Sequence, residues 1–215
     1  MRDNHVYTQL GTRYRSSAPA LQLLKDNVKE AYHDAIKKRA PDLKPEMRLM
    51  MGLPASGKSS YVEHYSDFQQ THYVIDPDNV RQDLIDAWRV VNDKTTISQA
   101  DLLQMMKDIT TGTDTSSFDT SILGFAIQRG IHIVYHVSDE DSWYETIFSN
   151  TIRLEQKYTF HAHVISASWE SILSRNVARG AEGTQKADLE TRFRTFYNYL
   201  WFNQTKDETT RKEKL

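Results

Sequence analysis

Apolar side chains between residues 18 and 39 recur at steps of three and four residues. The repeating positions are Leu21, Leu24, Val28, Tyr32 and Ile36. This spacing places them along one side of a helix, so the sequence predicts an amphipathic helix here, which Pro41 and Pro45 end. Residues 1–18 show no clear periodicity, and we expect them to be loose.

Beyond residue 45, short apolar runs alternate with helical patterns. The predicted strands cover 47–52, 72–76, 131–137 and 160–165. Helices are predicted over 79–90, 98–109, 117–128, 142–156 and 187–201. Two further helices are predicted to begin near Lys58 and directly after an N-cap at Ser168. Strands that alternate with helices predict a parallel, doubly wound sheet with both faces covered. We expect an N-terminal extension over 1–45, one α/β domain over 46–203 and a charged, disordered tail over 204–215.

The composition excludes several classes of protein. The chain of 215 residues has no cysteine, which excludes disulfides, thiolate nucleophiles and Cys-ligated metal sites. A mean hydropathy of −0.65 and the lack of a long uncharged apolar run exclude a membrane span, and we expect no membrane among the partners. The first ten residues include Asp3 and no apolar stretch, so they do not resemble a secretory signal. We therefore expect a soluble, cytoplasmic protein.

Charge is unevenly distributed behind a formal net value of −2. Residues 76–150 hold five basic and thirteen acidic residues, whereas residues 1–45 hold nine basic and five acidic ones. Polyanions bind clustered positive charge. The acidic middle of the chain therefore argues against a broad nucleic-acid interface there.

A phosphate-binding motif follows the first predicted strand. Residues 52–59 read GLPASGKS and fit the pattern G-x-x-x-x-G-K-[ST] between a strand and a helix, as a P-loop requires. Gly57 lets the backbone wrap the phosphates, Lys58 reaches the β- and γ-phosphates, and the Ser59 hydroxyl can ligate Mg²⁺. The expected fold is a P-loop NTPase-type three-layer sandwich, with ATP or GTP as co-substrate and Mg²⁺ as cofactor. The expected nucleotide-binding residues are Gly52, Pro54, Ala55, Ser56, Gly57, Lys58, Ser59 and Ser60.

Two carboxylates, Asp76 and Asp78, follow the second predicted strand. In an open α/β sheet, functional groups collect at the carboxyl ends of the strands. One carboxylate can hold or orient the metal, and we assign Asp76 and Ser59 to metal binding. The other can accept a proton from an attacking hydroxyl, which favours a kinase over a switch GTPase or a motor ATPase. The alternative is that Asp78 only caps the following helix.

Together with the P-loop, residues 75–81 (IDPDNVR) resemble the zeta-toxin and polynucleotide-kinase group of P-loop kinases. The resemblance implies that Asp78 is the catalytic base and that Arg81 contacts the acceptor. Residues 169–180 are similar to the lid of phage-type polynucleotide kinases, which implies that Arg179 and, as the second match, Arg175 clamp the phosphates. The resemblance covers roughly residues 47–200, and proteins of the zeta-toxin type also carry a helical lead-in before their P-loop.

The two lid arginines can also be interpreted without the family. Arg175 and Arg179 are four residues apart and share one face of a helix, and guanidinium groups suit phosphate binding. The alternative is a solvated basic face paired with acidic residues such as Glu182. Arg192 and Arg194 are interpreted as such surface residues.

One position departs from the pattern of the related kinases. Those proteins often place an acidic residue at the end of the third strand, where the register of the flanking strand puts His136. We assign His136, with Asp76 and Arg81, to acceptor binding. The alternative is that His136 only packs within the sheet as a strand residue. Asp139 and Asp141 follow shortly afterwards and are alternatives for the missing acid.

The favoured hypothesis is a kinase that transfers the γ-phosphoryl group to a hydroxyl of a nucleotide-type acceptor. The lead-in helix and the acidic middle favour a nucleotide sugar or small nucleotide, as for zeta toxins, whereas the lid sequence favours the 5′-hydroxyl of a nucleic acid. A catalytically inactive nucleotide-binding module is a further alternative. The N-terminal helix either packs on the sheet, docks a partner such as a protein inhibitor, or helps to hold an acidic substrate.

Overall fold

The computed structural model describes residues 18–64, 67–91, 97–137, 158–180 and 185–194. Several sequence predictions lie outside these ranges. They concern the loose start, the helix over 142–156, the end of the last helix, the charged tail, and Asp139, Asp141 and Glu182.

The strands in the described part of the chain form one parallel sheet. They are β1 (Glu46–Met51), β2 (Tyr73–Ile75), β3 (Ile133–Val137) and β4 (Thr159–Val164), and their order is β2-β3-β1-β4. All three pairings are parallel, and Met50 of β1 lies opposite His136 of β3. The predicted parallel sheet is therefore confirmed.

Helices cover both faces of the sheet, which confirms the predicted three-layer α/β fold. Their bounds are α1 (Ala18–Lys37), α2 (Lys58–His64), α3 (Phe68–Thr71), α4 (Pro77–Val91), α5 (Gln99–Thr110), α6 (Thr115–Asp119), α7 (Ile122–Gln128), α8 (Trp169–Ala178) and α9 (186–194). None of these helices, in the part of the chain that the structure describes, is long and apolar enough to cross a membrane.

The prediction of a single helix over 117–128 is wrong, because this region forms two helices, α6 and α7. The Ser121 hydroxyl accepts a hydrogen bond from the Gly124 N–H at 3.0 Å and so caps α7. Serine favours this capping geometry over a helix interior. Apolar spacing alone does not reveal such a break. As predicted, Ser168 caps α8, with its hydroxyl accepting from the Ser171 N–H.

The main core lies on the face of the sheet covered by α1, α4, α5 and α7. Leu24, Val28 and Ile36 of α1 are buried in it. The N-terminal helix thus packs into the core, as the first of its three interpretations expected. Its Tyr32 hydroxyl also donates a hydrogen bond of 2.6 Å to Asp83 of α4.

The opposite face, under α2 and α3, is much more polar. Its apolar cluster consists of Met50, Val62, Phe68 and Val134 among the described residues. Arg48 of β1 lies beside it, with its guanidinium 4.8 Å from the centre of the Phe68 ring. The strand register places several histidines on this face, namely His132, His136, His161 and His163.

His72, which precedes β2, has a strongly shifted pKa on this face. Burial, the charge of Arg48 and the proximity of His132 lower the pKa of His72 from 6.5 to about 4. The nearby Glu46 opposes this shift only in part. The folded protein therefore keeps His72 neutral at pH values where the unfolded chain protonates it.

We predict that this histidine makes the fold acid-sensitive between pH 6.5 and about 4. Above pH 6.5 His72 is neutral in both the folded and the unfolded chain, so it does not reduce the free energy of unfolding. Below pH 6.5 the free energy of unfolding falls by up to about 1.4 kcal/mol per pH unit, because the unfolded chain binds the proton first. Urea denaturation of the His72→Gln variant should show a weaker pH dependence across this window.

The matched control is His64→Gln, because His64 is exposed at the end of α2. That variant should keep the pH dependence of the unmodified protein. Equal pH dependence in the His72→Gln variant and the unmodified protein would contradict the assignment.

Candidate active site

The loop after β1 carries the phosphate-binding motif in a conformation that requires glycine. Gly52 has a φ of 149°, and a Cβ atom there would collide with the carbonyl oxygen of Ile165. Gly57 has a φ of 105°. Both values disfavour residues with a side chain. The two fixed glycines of the motif therefore shape the loop between β1 and α2.

Two cations lie against the carbonyl groups of this loop. Lys58 Nζ donates to the carbonyls of Gly52 at 2.6 Å and Leu53 at 3.1 Å. Arg175 of α8 donates to the carbonyls of Ala55 and Ser56 at 3.3 and 3.2 Å. A side chain from the predicted lid thus contacts the loop directly.

The Asp76 carboxylate connects three elements at the carboxyl edge of the sheet. Its Oδ2 accepts hydrogen bonds from His136 Nδ1 of β3 at 2.8 Å and from Ser59 Oγ of α2 at 3.3 Å. Its Oδ1 accepts from the backbone N–H of Asp78 at 3.0 Å. Asp76 is 8% exposed and His136 is 4% exposed, so these contacts are shielded from solvent.

Electrostatics keep this buried carboxylate ionised. Burial by itself would raise the pKa of Asp76. The hydrogen bond and charge of His136, the Asp78 N–H and the charge of Lys58 outweigh burial, so the pKa of Asp76 lies below its usual value. An ionised Asp76 is an acceptor for all of its neighbours.

The structure corrects the interpretation of Asp78 as a helix cap. Helix α4 begins at Pro77, and the cap is Asp76, whose carboxylate accepts the Asp78 N–H. Asp78 itself is exposed, and within the described ranges no hydrogen bond to its carboxylate is found. Its side chain is therefore available to a ligand.

A cavity of about 460 Å³ brings most of the predicted site residues together. Its lining includes Pro54, Ala55, Ser56, Gly57, Lys58, Ser59, Ser60, Asp76, Asp78, His136, Arg175 and Arg179. The volume suits a cofactor-sized ligand. Of the other predicted residues, Gly52 is not among the lining residues, and its carbonyl accepts the hydrogen bond from Lys58. Arg81 lies away from the cavity wall, with its guanidinium 3.4 Å from Gln99 Oε1.

A second cavity of about 290 Å³ adjoins the first. The two share Ser59, Asp76 and His136 in their walls. The remaining lining residues are Arg39, Val62, Glu63, Gln69, His72, Tyr73, Val74 and Asn79. Sequence reasoning missed these residues as a group because they come from α2, β2, α4 and the segments beside them, and no motif joins them.

An apolar cluster holds helix α8 to the phosphate loop. Leu53 of the loop, Ile172 of α8 and Leu189 of α9 are all buried together. Trp169 and Phe193 add an edge-to-face ring contact at 5.1 Å. The position of Arg175 beside the loop therefore depends on side-chain packing as well as on its hydrogen bonds.

The oxygen atoms at the junction of the two cavities fit a magnesium ion. Ser59 Oγ and Asp76 Oδ2 lie 3.3 Å apart, and both are hard oxygen ligands of the type that Mg²⁺ prefers. A second candidate cluster, Glu46, His72 and His132, lies at the opposite edge of the sheet. There Arg48 forms an ion pair of 2.6 Å with Glu46, which places a fixed positive charge beside any bound cation.

Comparison with known proteins supports the assignment of the loop. A protein-family model described as an AAA domain matches residues 47–193, about two thirds of the chain. The match extends from β1 to α9 and includes the whole P-loop and Asp76. No curated protein matches the chain.

We predict that Gly52→Ala destabilises the protein more than Gly180→Ala. Both residues have positive φ angles, but a Cβ at Gly180 would meet nothing within 4 Å among the described residues. Gly180→Ala should therefore cost only backbone strain, about 1–2 kcal/mol. Gly52→Ala should cost more, because its Cβ meets the backbone of Ile165.

Urea denaturation of both variants, with titration of a fluorescent nucleotide, checks this prediction. The Gly52→Ala variant should also lose nucleotide affinity, because the substitution displaces the loop that Lys58 contacts. Similar losses of stability in the two variants would contradict the close approach of Gly52 to Ile165.

Proposed function

Because the chain belongs to the AAA-domain family of P-loop proteins, we propose that it is an ATP- or GTP-dependent kinase. In this proposal the acceptor of the γ-phosphoryl group is a hydroxyl of a small nucleotide-type molecule. The observation that carries it is the position of Asp78, whose exposed carboxylate lines the same cavity as Lys58 and the lid arginines. A nucleotide-binding module without phosphoryl transfer has no need of a base there.

The loop and its cations bind the triphosphate. The backbone N–H groups at the start of α2 and the Lys58 ammonium hold the phosphates. Lys58 and Arg175, which contact the loop carbonyls, bind phosphate oxygens in this proposal. Arg179, at the end of α8, adds a second guanidinium that offsets charge on the transferred group.

Asp78 acts as the proton acceptor. Its carboxylate takes the proton of the acceptor hydroxyl while that oxygen attacks the γ-phosphorus. The bond between the γ-phosphorus and the β,γ-bridging oxygen breaks, and the products are a nucleoside diphosphate and a phosphorylated acceptor. Magnesium, held by Ser59 with Asp76 directly or through water, would neutralise charge on the phosphates.

The acceptor is small in this proposal because few cations remain for it. Lys58, Arg175 and Arg179 face the triphosphate, which leaves Arg39 as the arginine in the wall of the second cavity among the described residues. One guanidinium suits one phosphate or another single anionic group. The resemblance to zeta toxins favours a nucleotide sugar or a small nucleotide. The 5′-hydroxyl end of a nucleic acid would bring several phosphates to the same place.

We predict that Asp78→Asn lowers acceptor-dependent turnover by roughly 10²–10⁴-fold. The nucleotide dissociation constant should stay within about threefold of that of the unmodified protein, because the substitution removes a contact made in the transition state and not one made to the bound nucleotide. The measurement is nucleoside triphosphate consumption with a panel of nucleotides, nucleotide sugars and 5′-hydroxyl oligonucleotides. A nucleotide titration runs in parallel.

Asp86→Asn is the matched control, because Asp86 is an exposed carboxylate on the same helix and pairs with Gln82 and Arg89. This variant should keep full turnover. If no member of the panel stimulates turnover in the unmodified protein, the kinase proposal is wrong. Stimulation by oligonucleotides alone would reassign the acceptor to nucleic acid.

A further inference from the structure

The second cavity lies along β2, the strand at one edge of the described sheet. His72, Tyr73, Val74 and Asp76 follow one another along its wall. A strand rises about 3.3 Å per residue, so Tyr73 and Asp76 are about 10 Å apart. The cavity therefore extends from the start of β2 to its junction with the first cavity, where both are lined by Ser59 and Asp76.

Arg39 places a guanidinium group at the start of β2. Its Nη1 donates a hydrogen bond of 3.4 Å to the carbonyl of Gln70 in α3, and the neighbouring Gln69 lines the same cavity as Arg39. Among the described residues, this long bond is the contact found for the guanidinium. Most of its N–H donors are therefore available to a ligand.

The packing of α1 fixes the position of Arg39. Ile36, in the last turn of the helix, is completely buried in the main core. The Arg39 N–H donates to the Ile36 carbonyl at 3.0 Å, and the Arg39 carbonyl accepts from Arg129, which follows α7. The backbone of Arg39 is thus held on the side of the core, while its side chain reaches α3.

The rest of the cavity wall suits hydroxyl groups and disfavours further anions. Glu63, Gln69 and Asn79 are exposed, and their carboxylate and amide groups can exchange hydrogen bonds with the hydroxyls of a ligand. Glu63 and the ionised Asp76 carry negative charge. One anionic group can therefore pair with Arg39, whereas a second one would lie near these carboxylates.

We infer that the second cavity binds an acceptor carrying one phosphate monoester, that Arg39 binds this phosphate, and that the reacting hydroxyl lies at the junction of the cavities. This assignment of the acceptor rests on the proposed function. A guanidinium binds two phosphate oxygens at once through its planar fork. The cavity, at about 290 Å³, is at the lower end of small-molecule sites. A sugar phosphate or a nucleoside monophosphate therefore fits better than a nucleotide sugar.

Calorimetric titration of the full chain tests the assignment. A saturating, non-hydrolysable triphosphate analogue with Mg²⁺ first occupies the phosphate loop, so that the probes do not bind there. The probes are ribose 5-phosphate, glucose 6-phosphate and nucleoside monophosphates, each beside its unphosphorylated counterpart, together with UDP-glucose and a 5′-hydroxyl oligonucleotide. At least one monoester should bind at least about tenfold more tightly than its counterpart, because hydrogen bonds to charged groups are strong. Which monoester binds best distinguishes a sugar phosphate from a nucleotide.

Three variants assign the phosphate contact to one side chain. Arg39→Gln should weaken monoester binding by at least about tenfold and leave the unphosphorylated counterpart unchanged. Arg39→Lys keeps the charge without the fork, so its affinity should be intermediate. Lys38→Gln is the matched control, because Lys38 is an exposed cation next to Arg39 and outside the cavity wall. All three variants should keep the affinity for the triphosphate analogue and the thermal unfolding temperature.

Equal binding of monoesters and their counterparts, or no binding of any probe, would overturn the assignment. So would monoester binding that Arg39→Gln leaves unchanged, or tighter binding of UDP-glucose or the oligonucleotide than of every monoester. These readouts need no turnover, so they separate the phosphate site from the kinase proposal. Monoester binding through Arg39 without phosphoryl transfer would retain the site and reject the kinase.

Discussion

The Asp76 carboxylate is the constraint on which the site depends. A buried charge is tolerated only when its oxygens are hydrogen-bonded, and here the donors come from β3, α2 and the first turn of α4. Satisfying this one group fixes His136, Ser59 and the start of α4 relative to one another. The two cavities share Ser59, Asp76 and His136 in their walls. The hydrogen bonds of Asp76 therefore also fix the place where the cavities meet.

The sequence predicted the sheet, the P-loop and Ser168 as a cap because each depends on local spacing and local hydrogen bonds. It could not predict the Asp76–His136 contact, whose partners are sixty residues apart and meet only through the register of β2 and β3. The sequence left open the alternative that Asp78 caps α4 for a related reason, since Asp76 and Asp78 are equally suited to capping by residue type. Arg81 was assigned from resemblance alone, and its contact with Gln99 depends on the packing of α4 against α5.

Helix α8 brings an apolar anchor and a cation to the same loop. Ile172 anchors α8 in the cluster that also holds Leu53 of the loop, while Arg175, three residues later, reaches the loop carbonyls. The spacing puts the apolar anchor and the cation on nearby parts of one helix. Phosphate oxygens compete with carbonyl oxygens for such a guanidinium, and they do so with a full negative charge.

The unequal apolar cores on the two sides of the sheet have a consequence for local opening. Helix α2 is seven residues long and has Val62 as its buried residue, whereas α4 and α5 each bury several side chains in the main cluster. Free energies of local opening follow the apolar contacts that must be broken. Backbone amides of α2 should therefore exchange with solvent hydrogen sooner than those of α4 and α5, and a bound ligand that holds Lys58 and Ser59 should slow that exchange most strongly.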